Sequence, residues 1–573
     1  MVKFDPSAVA LVGGGPAALF MMKNIIRSEY RPAIIYIFEK NERLGAGMPY
    51  GKHGSSHEHV ANVSANELPE LEDTFEEYIL KHPTNEFPDF ITDGSINPYQ
   101  VIPRLLLGNY LENQFEKYIS IAKHSGIEVI IRKNTAIEDI KQIEEKKFNI
   151  IDHKGHIYKS DAVVICTGHF WPKKHEEKVK GWYDSPYPPS KFNFPTNFPV
   201  AIRGTSLTAV DAIKTISRRN GTYMMKKDKS LQYILNEDSK NFSIDLFSLG
   251  GFLPALRFHS EDDAYSPEWS MSFDEIYEYK KNHGGFVDLD HVFEINFKLP
   301  LQKKDPGFHD QIKTLSIEDF VDKMMEIRKE LDSFELFKAE FAEAEKSIRR
   351  KQSISWKETL SAFSYAMNYP AKHFSAEDML RLRKTLMPLI SIIIASLPQS
   401  SYQEIIALYD AGIINLIQVN KESRVEPHPE SGGIYYYRPN GETEIEKHYQ
   451  LYVDAIGQQP MEINNVPFEG LKSGELISSG YLLFRDKAYG EKLYISKDEQ
   501  VIKGYNNNYY LKVHGLSIND HFQAQNSYGQ ITENLYIMAV PYIGGLNPDY
   551  SGLDFCDTAS ERIAESLRVK NLS

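Results

Sequence analysis

A strand that runs straight into three glycines and leaves them as a helix is open to few folds. Residues 9–26 read VALVGGGPAALFMMKNII. The apolar run Val9 to Val12 reads as a short buried strand and Gly13-Gly14-Gly15 as a tight turn. Pro16 onward reads as a helix with Leu19, Met22, Ile25 and Ile26 on one face. The spacing Gly13-x-Gly15-x-x-Ala18 fits the dinucleotide-binding pattern, which tolerates Ala at its last position. A helix N-terminus offers unsatisfied amides and roughly half a positive charge, and a pyrophosphate reaches them only where no Cβ intervenes. An isolated match also describes an ordinary glycine turn. Here a second apolar strand, AIIYIF from Ala33 to Phe38, ends at Glu39, 24 positions beyond Gly15 and close to where a ribose-binding acid is expected. A solvated glutamate at a strand end is the alternative.

The same grammar returns after the Pro-rich stretch SPYPPSKFNFPTNFP, residues 185–199, which reads as a domain connection. Val200 to Arg203 is a strand, Gly204-Thr-Ser206-Leu-Thr-Ala209 the turn, and Val210 to Ile216 the start of a helix, with Ser206 in place of the middle glycine. The following strand, Ile244 to Ser248, ends in Leu249-Gly250-Gly251, where no acid stands to hold a free ribose hydroxyl. Arg218, Arg219 and Arg257 are cations that could meet a 2′-phosphate, which tips the expectation toward NADPH over NADH; exposed arginines facing water are the alternative. Two further strands close on small-residue turns, Asp161 to Gly168 and, after Tyr449 to Val453, Asp454 to Gly457. Each lies downstream of its own glycine turn, as in proteins that return the chain toward a bound dinucleotide.

Between Ser260 and Ser401 the composition turns charged and helical, most periodically over residues 322–351, where glutamates and lysines at spacings of three and four describe solvated helix faces. This segment is expected to cap a cavity or to hold a partner; Ile413 to Val419 and Tyr435 to Arg438 are expected as strands rejoining the second domain. The expected class is α/β, with two dinucleotide-binding, Rossmann-like domains and a helical insertion. The division is 1–198 and 458–573 for the first domain, 199–259 and 402–457 for the second, and 260–401 for the insertion.

Composition narrows the partners. A formal charge of −14 over 573 residues argues against a nucleic-acid binder, which needs a basic stripe. Two cysteines, Cys166 and Cys556, build no disulfide framework, CxxC pair or cysteine-rich zinc site, which suits a reducing, cytoplasmic setting. The start of the chain lacks the pattern of a signal peptide. The longest apolar run, Leu386 to Leu397 with Pro388 inside it, is too short to span a bilayer and reads as a buried helix. His53, His57 and His59 cluster without the acid-rich ligand set a metal would need, so no metal is expected; His59 could instead line a cofactor pocket, and His169 could make a polar contact there.

With GGGPAAL near the start, FEKNERLGAGMPYG at 38–51, HVANVSANEL at 59–68, PRLLLGNYL at 103–111, DAVVICTGH at 161–169, RGTSLTAVDA at 203–212 and LYIMAVPYIGG near the C-terminus, the chain resembles FAD/NAD(P)-binding oxidoreductases. That group is related to single-component flavoprotein monooxygenases and, more distantly, to ornithine and lysine N-hydroxylases. The resemblance implies FAD in the first domain and a nicotinamide dinucleotide, NAD(P)H, delivered by the second. Carried over by position, Gly13, Gly15 and Ala18 would face the pyrophosphate and Glu39 the adenosine ribose, with Pro16, Ala17 and Lys40 among the cofactor-binding residues. Gly45, Gly47, Pro49 and Tyr50 would shape the flavin side, Asn62 and Val63 would lie against the isoalloxazine, Thr167 and Gly168 would close the pocket, and Gly544 and Gly545 would contribute from the C-terminal return. Gly204, Ser206 and Ala209 would receive the nicotinamide dinucleotide. The chain departs from the pattern at Leu249, where an arginine is expected, and at Met538-Ala-Val.

The implied chemistry is hydride transfer from NAD(P)H to FAD followed by oxygenation of a small organic molecule with O2. The alternatives are an FAD-dependent dehydrogenase or reductase that passes electrons on without oxygenation, and a non-enzymatic flavin-bound sensor or interaction protein. No catalytic residue can be named from the sequence, and whether the chain forms a homo-oligomer stays open.

Overall fold

Parallel strands covered on both faces need unbroken apolar runs, and two sets of such runs build two sheets in this computed structural model, which describes residues 5–260, 270–439, 443–549 and 552–571. The first sheet has six strands in the order Gln523–Gln525, Ile531–Ile537, Ala162–Ile165, Asp5–Val12, Pro32–Phe38, Glu128–Arg132; all run parallel except the outermost, Gln523–Gln525. Its centre is nearly water-free: Val9, Ala10 and Leu11 pair with Ala162, Val163 and Val164, all 2% exposed or less. The second sheet is all parallel, in the order Trp182–Tyr183, Leu451–Asp454, Pro199–Arg203, Ser243–Leu249, Ile414–Val419.

The two sheets follow one plan. In each, the strand that leads into the glycine turn lies between the next parallel strand and a later return strand: Asp5–Val12 between Pro32–Phe38 and Ala162–Ile165, and Pro199–Arg203 between Ser243–Leu249 and Leu451–Asp454, so the chain reverses its winding at the carboxyl end of that strand. Crevices of this kind are where open α/β sheets take ligands. Each return strand is also preceded by a three-stranded antiparallel meander. It is Ile137–Glu144, Lys147–Asp152 and Ile157–Ser160 in the first lobe, and Arg424–Pro427, Gly433–Tyr437 and Ile445–Tyr449 in the second. The expected strand at Tyr435 therefore belongs to this meander and not to the parallel sheet; its Tyr435 ring stacks on Phe247 of the sheet at 3.6 Å.

Residues 531–571 complete the first lobe. Ile531–Ile537 pairs with the return strand, and the helix Leu553–Asn571 packs on the helix Pro16–Arg27, where the buried Lys23 ammonium meets Asp557 at 2.7 Å and Asn24 donates to Ser560 at 2.7 Å. A further antiparallel sheet, Ser479–Leu483, Tyr509–Leu516 and Val501–Lys503, sits within the same return.

The insertion is helical, as its charge periodicity predicts, although residues 261–269 of that span lie outside the described residues. The stretch 322–351 is two helices, Ile317–Lys329 and Ser333–Arg350, because Asp332 caps the second by accepting from the Phe334 amide. The apolar run near residue 390 forms the helix Met387–Ile394, which continues from Ala376–Arg381 through a π-helical turn at Leu382–Leu386 just before Pro388. Among the described residues no helix is long and apolar enough to cross a membrane.

Candidate cofactor site

At the first turn the backbone itself demands glycine. Gly13 has φ +111°, its N–H donates to the Phe38 carbonyl at 2.9 Å, and a Cβ there would stand 2.5 Å from the Cys166 carbonyl oxygen. Gly14 is glycine for lack of room: a Cβ would meet Leu44 at 2.6 Å and Glu39 at 2.8 Å. Gly15 is different. Its φ of −82° suits any residue and a Cβ would touch only Gly47, at 3.3 Å. Gly15 caps the helix Pro16–Arg27 without a side-chain bond, and the absent side chain leaves the helix start open to an approaching group.

A second loop closes against the first. Gly45 donates to the Gly14 carbonyl at 2.8 Å, and at φ +80° it lies against the Leu111 carbonyl, where a Cβ would come within 2.6 Å. Gly47, at φ +57°, lies against Pro16. Glu39 is buried at the end of its strand and its carboxylate accepts from the Gly14 amide at 2.9 Å and the Asn41 amide at 2.8 Å, while Lys40 is exposed. Burial pushes the nearby Tyr50 phenol up to about 12, against a smaller opposing pull from Arg104. Thr167 and Gly168 follow the return strand, and Gly168 faces open space. Gly545 has a packing reason of its own, since a Cβ there would collide with the His514 carbonyl.

The second turn repeats the constraint on the first glycine. Gly204 has φ +112°, its N–H donates to the Phe247 carbonyl at 2.8 Å, and a Cβ would come within 2.7 Å of the Ala455 carbonyl oxygen. Ser206 stands where Gly15 does, caps the helix Leu207–Asn220, and makes no side-chain cap bond, so its hydroxyl is not spent on its own helix. Ala209, the counterpart of Ala18, is fully buried against the sheet. The two return turns touch: the Phe170 amide donates to Gln458 Oε1 at 2.8 Å.

Between the lobes runs a buried polar seam that the sequence did not single out. Asp211, on the second lobe's helix, accepts from Arg104 Nη1 at 2.6 Å and from the Tyr187 hydroxyl at 2.6 Å, while Arg104 Nε donates to the Val60 carbonyl at 2.9 Å. Burial acts to raise the Asp211 carboxyl, but the Arg104 guanidinium and the hydrogen bonds from Tyr187 and Arg104 outweigh it, and its pKa is lowered. His59 is 1% exposed; its Nδ1 accepts from the Ser56 amide at 3.1 Å, so Nε2 carries the proton and points at the Asp211 carbonyl and Thr215 Oγ1, 3.2 and 3.0 Å away. Burial lowers its pKa, against an opposing pull from Asp211, and the ring acts as a neutral strut between lobes. Among the described residues no cluster of His, Cys, Asp and Glu could hold a metal. His169 stacks on Trp171, which lies against Tyr187, and burial pushes its pKa down to about 4.

Two of the three arginines considered for a phosphate, Arg218 and Arg257, have other work, and Arg219 is exposed. Arg218 holds Glu404 through two bonds of 2.9 Å, and Arg257 holds Glu67 and the Asn62 carbonyl. Arg218 and Arg219 lie in the last turn of their helix, so the length of the helix separates them from the turn at its start. Asn62 is exposed and Val63 half-buried on the strand Val60–Ser64 that leaves this seam.

Comparison with known proteins agrees with this architecture. The FAD-NAD(P)-binding family matches residues 10–170, and the YdhS-like middle domain matches residues 272–394. The chain is 25% identical over 468 residues to the Escherichia coli (strain K12) uncharacterized protein YdhS, covering 81% of this chain and 85% of that one. Among solved structures it is similar to a cyclohexanone monooxygenase from Rhodococcus sp. Phi1 bound to NADP+, at TM-score 0.45 and 11% identity over 99% of this chain and 85% of that one. It is also similar to the Kutzneria sp. 744 ornithine N-hydroxylase KtzI, at TM-score 0.42 and 12% identity over 99% of each chain. Likeness that distant adds nothing to what the turns already establish. The FAD-NAD(P)-binding match falls within the first lobe, and the YdhS-like middle-domain match falls within the helical insertion.

Proposed function

We propose that this chain is an FAD-dependent oxidoreductase: FAD lies at the first turn, NAD(P)H at the second, and the reduced protein uses O2 to oxygenate a small organic molecule. The observation that carries the two-cofactor reading is the duplicated turn, with Gly13 and Gly204 making the same backbone bond at the same φ within 1°. When bound, the flavin supplies the electron chemistry. The chain supplies orientation. Gly15 leaves the start of the helix Pro16–Arg27 open to a pyrophosphate, Glu39 stands at the strand end where a ribose hydroxyl would bond, and Thr167 with Gly168 borders the crevice. In this reading Asn62 and Val63 would face the ring system, Gly204 and Ser206 would receive the second dinucleotide, and the buried Ala209 would let their helix close on the sheet. The oxygenating step rests on the sequence resemblance alone.

The test is direct. Purified protein, supplied with FAD and freed of excess, is expected to be yellow and to bleach when mixed anaerobically with NADH or NADPH; oxygen-18 gas then labels the product. A colourless protein after incubation with excess FAD overturns the cofactor reading. Stoichiometric peroxide with no labelled product from any acceptor overturns oxygenation and leaves a reductase.

A further inference from the structure

The strand Ile531–Ile537 runs parallel to Ala162–Ile165, and the Met538 amide donates to the Ile165 carbonyl at 2.9 Å, so the chain leaves the first sheet beside Cys166, whose carbonyl crowds Gly13. The helix that follows, Leu553–Asn571, runs in the same direction as Pro16–Arg27: Asp557 meets Lys23, Ser560 meets Asn24 and, further along, Arg568 meets Glu29 at 3.1 Å. Both helices therefore begin at the crevice end of the sheet. Residues 544–549, between that strand and that helix, lie at the same end and form turns that join no strand.

What pins them comes from the insertion. Asn368 stands just beyond the helix Ser355–Ala366 and is fully buried. The Asp549 amide donates to Asn368 Oδ1 at 2.8 Å, Asn368 Nδ2 donates to the Asp549 carbonyl, and Nδ2 of the equally buried Asn547 donates to the Asn368 carbonyl at 2.8 Å. A side-chain amide that answers both the N–H and the C=O of one residue fixes its orientation as well as its position. Tyr365 and Tyr369, on either side of Asn368 and also buried, place their hydroxyls 2.9 and 2.8 Å from Thr558 Oγ1, so they grip the helix behind the loop and not the loop itself.

We infer that Asn368 is a positioning residue of the cofactor site: by holding Asn547 and Asp549 it fixes the loop that borders the FAD crevice, so that the insertion sets the shape of that crevice. The inference rests on the flavin reading for its purpose, and the clamp itself is measured without flavin. Amide hydrogen exchange on the full-length chain before FAD is added, followed by mass spectrometry, reads the protection of residues 544–549. Asn368→Ala is expected to speed that exchange at least about tenfold, and Tyr369→Phe, which removes a bond to the helix and none to the loop, to change it by less than about twofold. Incubated with FAD, the Asn368→Ala protein is expected to bind it at least about tenfold more weakly and to alter the visible circular dichroism of the bound flavin, because the ligand must then order the loop itself. Asn547→Ala, which cuts the clamp from the loop side, is expected to reproduce both changes and stands in should Asn368→Ala not fold. Exchange at 544–549 that moves no more in Asn368→Ala than in Tyr369→Phe overturns the clamp. Faster exchange with unchanged FAD affinity and unchanged flavin dichroism overturns the positioning role. An unaltered protein that stays colourless sinks the flavin reading, while the exchange rates still decide the clamp.

Discussion

The two glycine turns agree at one position and part at the next two. Gly13 and Gly204 are bound by the same constraint, a left-handed φ and a carbonyl of the return strand pressed against the α-carbon. At the following position the first turn has Gly14, squeezed by Leu44 and donating to Glu39, whereas the second has Thr205, whose hydroxyl donates to the Phe252 carbonyl at 2.9 Å and lies 3.3 Å from Ser248 Oγ. Next come Gly15, bare, and Ser206, whose hydroxyl makes no cap bond. The first position is thus set by the fold in both turns and the second by local packing, Gly14 by lack of room and Thr205 by its bond to the Phe252 carbonyl; the third, Gly15 against Ser206, is where the two turns differ in what they leave open to a ligand.

The largest effect should come from a place where the two helices differ. Asp211 occupies the position that Phe20 fills in the first helix, and Asp211→Asn removes the partner of buried Arg104, which should cost about 3 to 5 kcal/mol in denaturant unfolding. Because the folded carboxyl has a lowered pKa, its contribution is present above the ordinary value of 3.8 and is lost as pH falls below it. The variant should therefore show a flatter acid limb in a stability-versus-pH profile, and an unchanged limb would separate Asp211 from acid stability.

Gly13→Ala and Gly204→Ala should each cost roughly 2 to 4 kcal/mol by the same measurement, since each forces an L side chain into a left-handed φ against a carbonyl. A cost under about 1 kcal/mol at one site only would break the equivalence of the turns. Gly15→Ala should cost no more than about 1 kcal/mol in unfolding yet weaken FAD binding at least about tenfold in equilibrium titration, because its Cβ would meet only the Gly47 backbone, at 3.3 Å, while standing in the opening at the helix start. Glu39→Gln should weaken FAD by about tenfold and destabilise by about 1 to 2 kcal/mol, since an amide turns a donor toward one of two backbone N–H groups. Smallest is Ser206→Gly, which makes the second turn more like the first; a change of no more than a few tenths of a kcal/mol is expected, with any effect confined to the KM for the nicotinamide.

The turns were legible in the sequence because their causes are local: a strand, a left-handed glycine and a helix start lie within a dozen residues. The helical insertion was legible for the same reason, through charge spacing, and only its break at Asp332 was not. The seam was invisible. Arg104, Tyr187 and Asp211 are far apart in the chain, and each has an ordinary local reading as a helix start, a residue in a Pro-rich connection and a charged position on a helix. Arg218 and Arg257 looked available for a phosphate because Glu404 and Glu67 are too distant in sequence to be recognised as their partners. Glycines near the C-terminus were ambiguous in the same way, since Gly545 answers to a neighbouring strand and not to any pattern around itself.

The strand Ile531–Ile537 stands beside the return strand of the first lobe, and the helix after it lies along the helix of the first glycine turn. During synthesis, the earliest nucleotide-binding segment must therefore wait, with part of its apolar surface uncovered, until more than five hundred residues have been made. Severing the gene between the lobes should yield pieces that aggregate when expressed apart and regain solubility when made together.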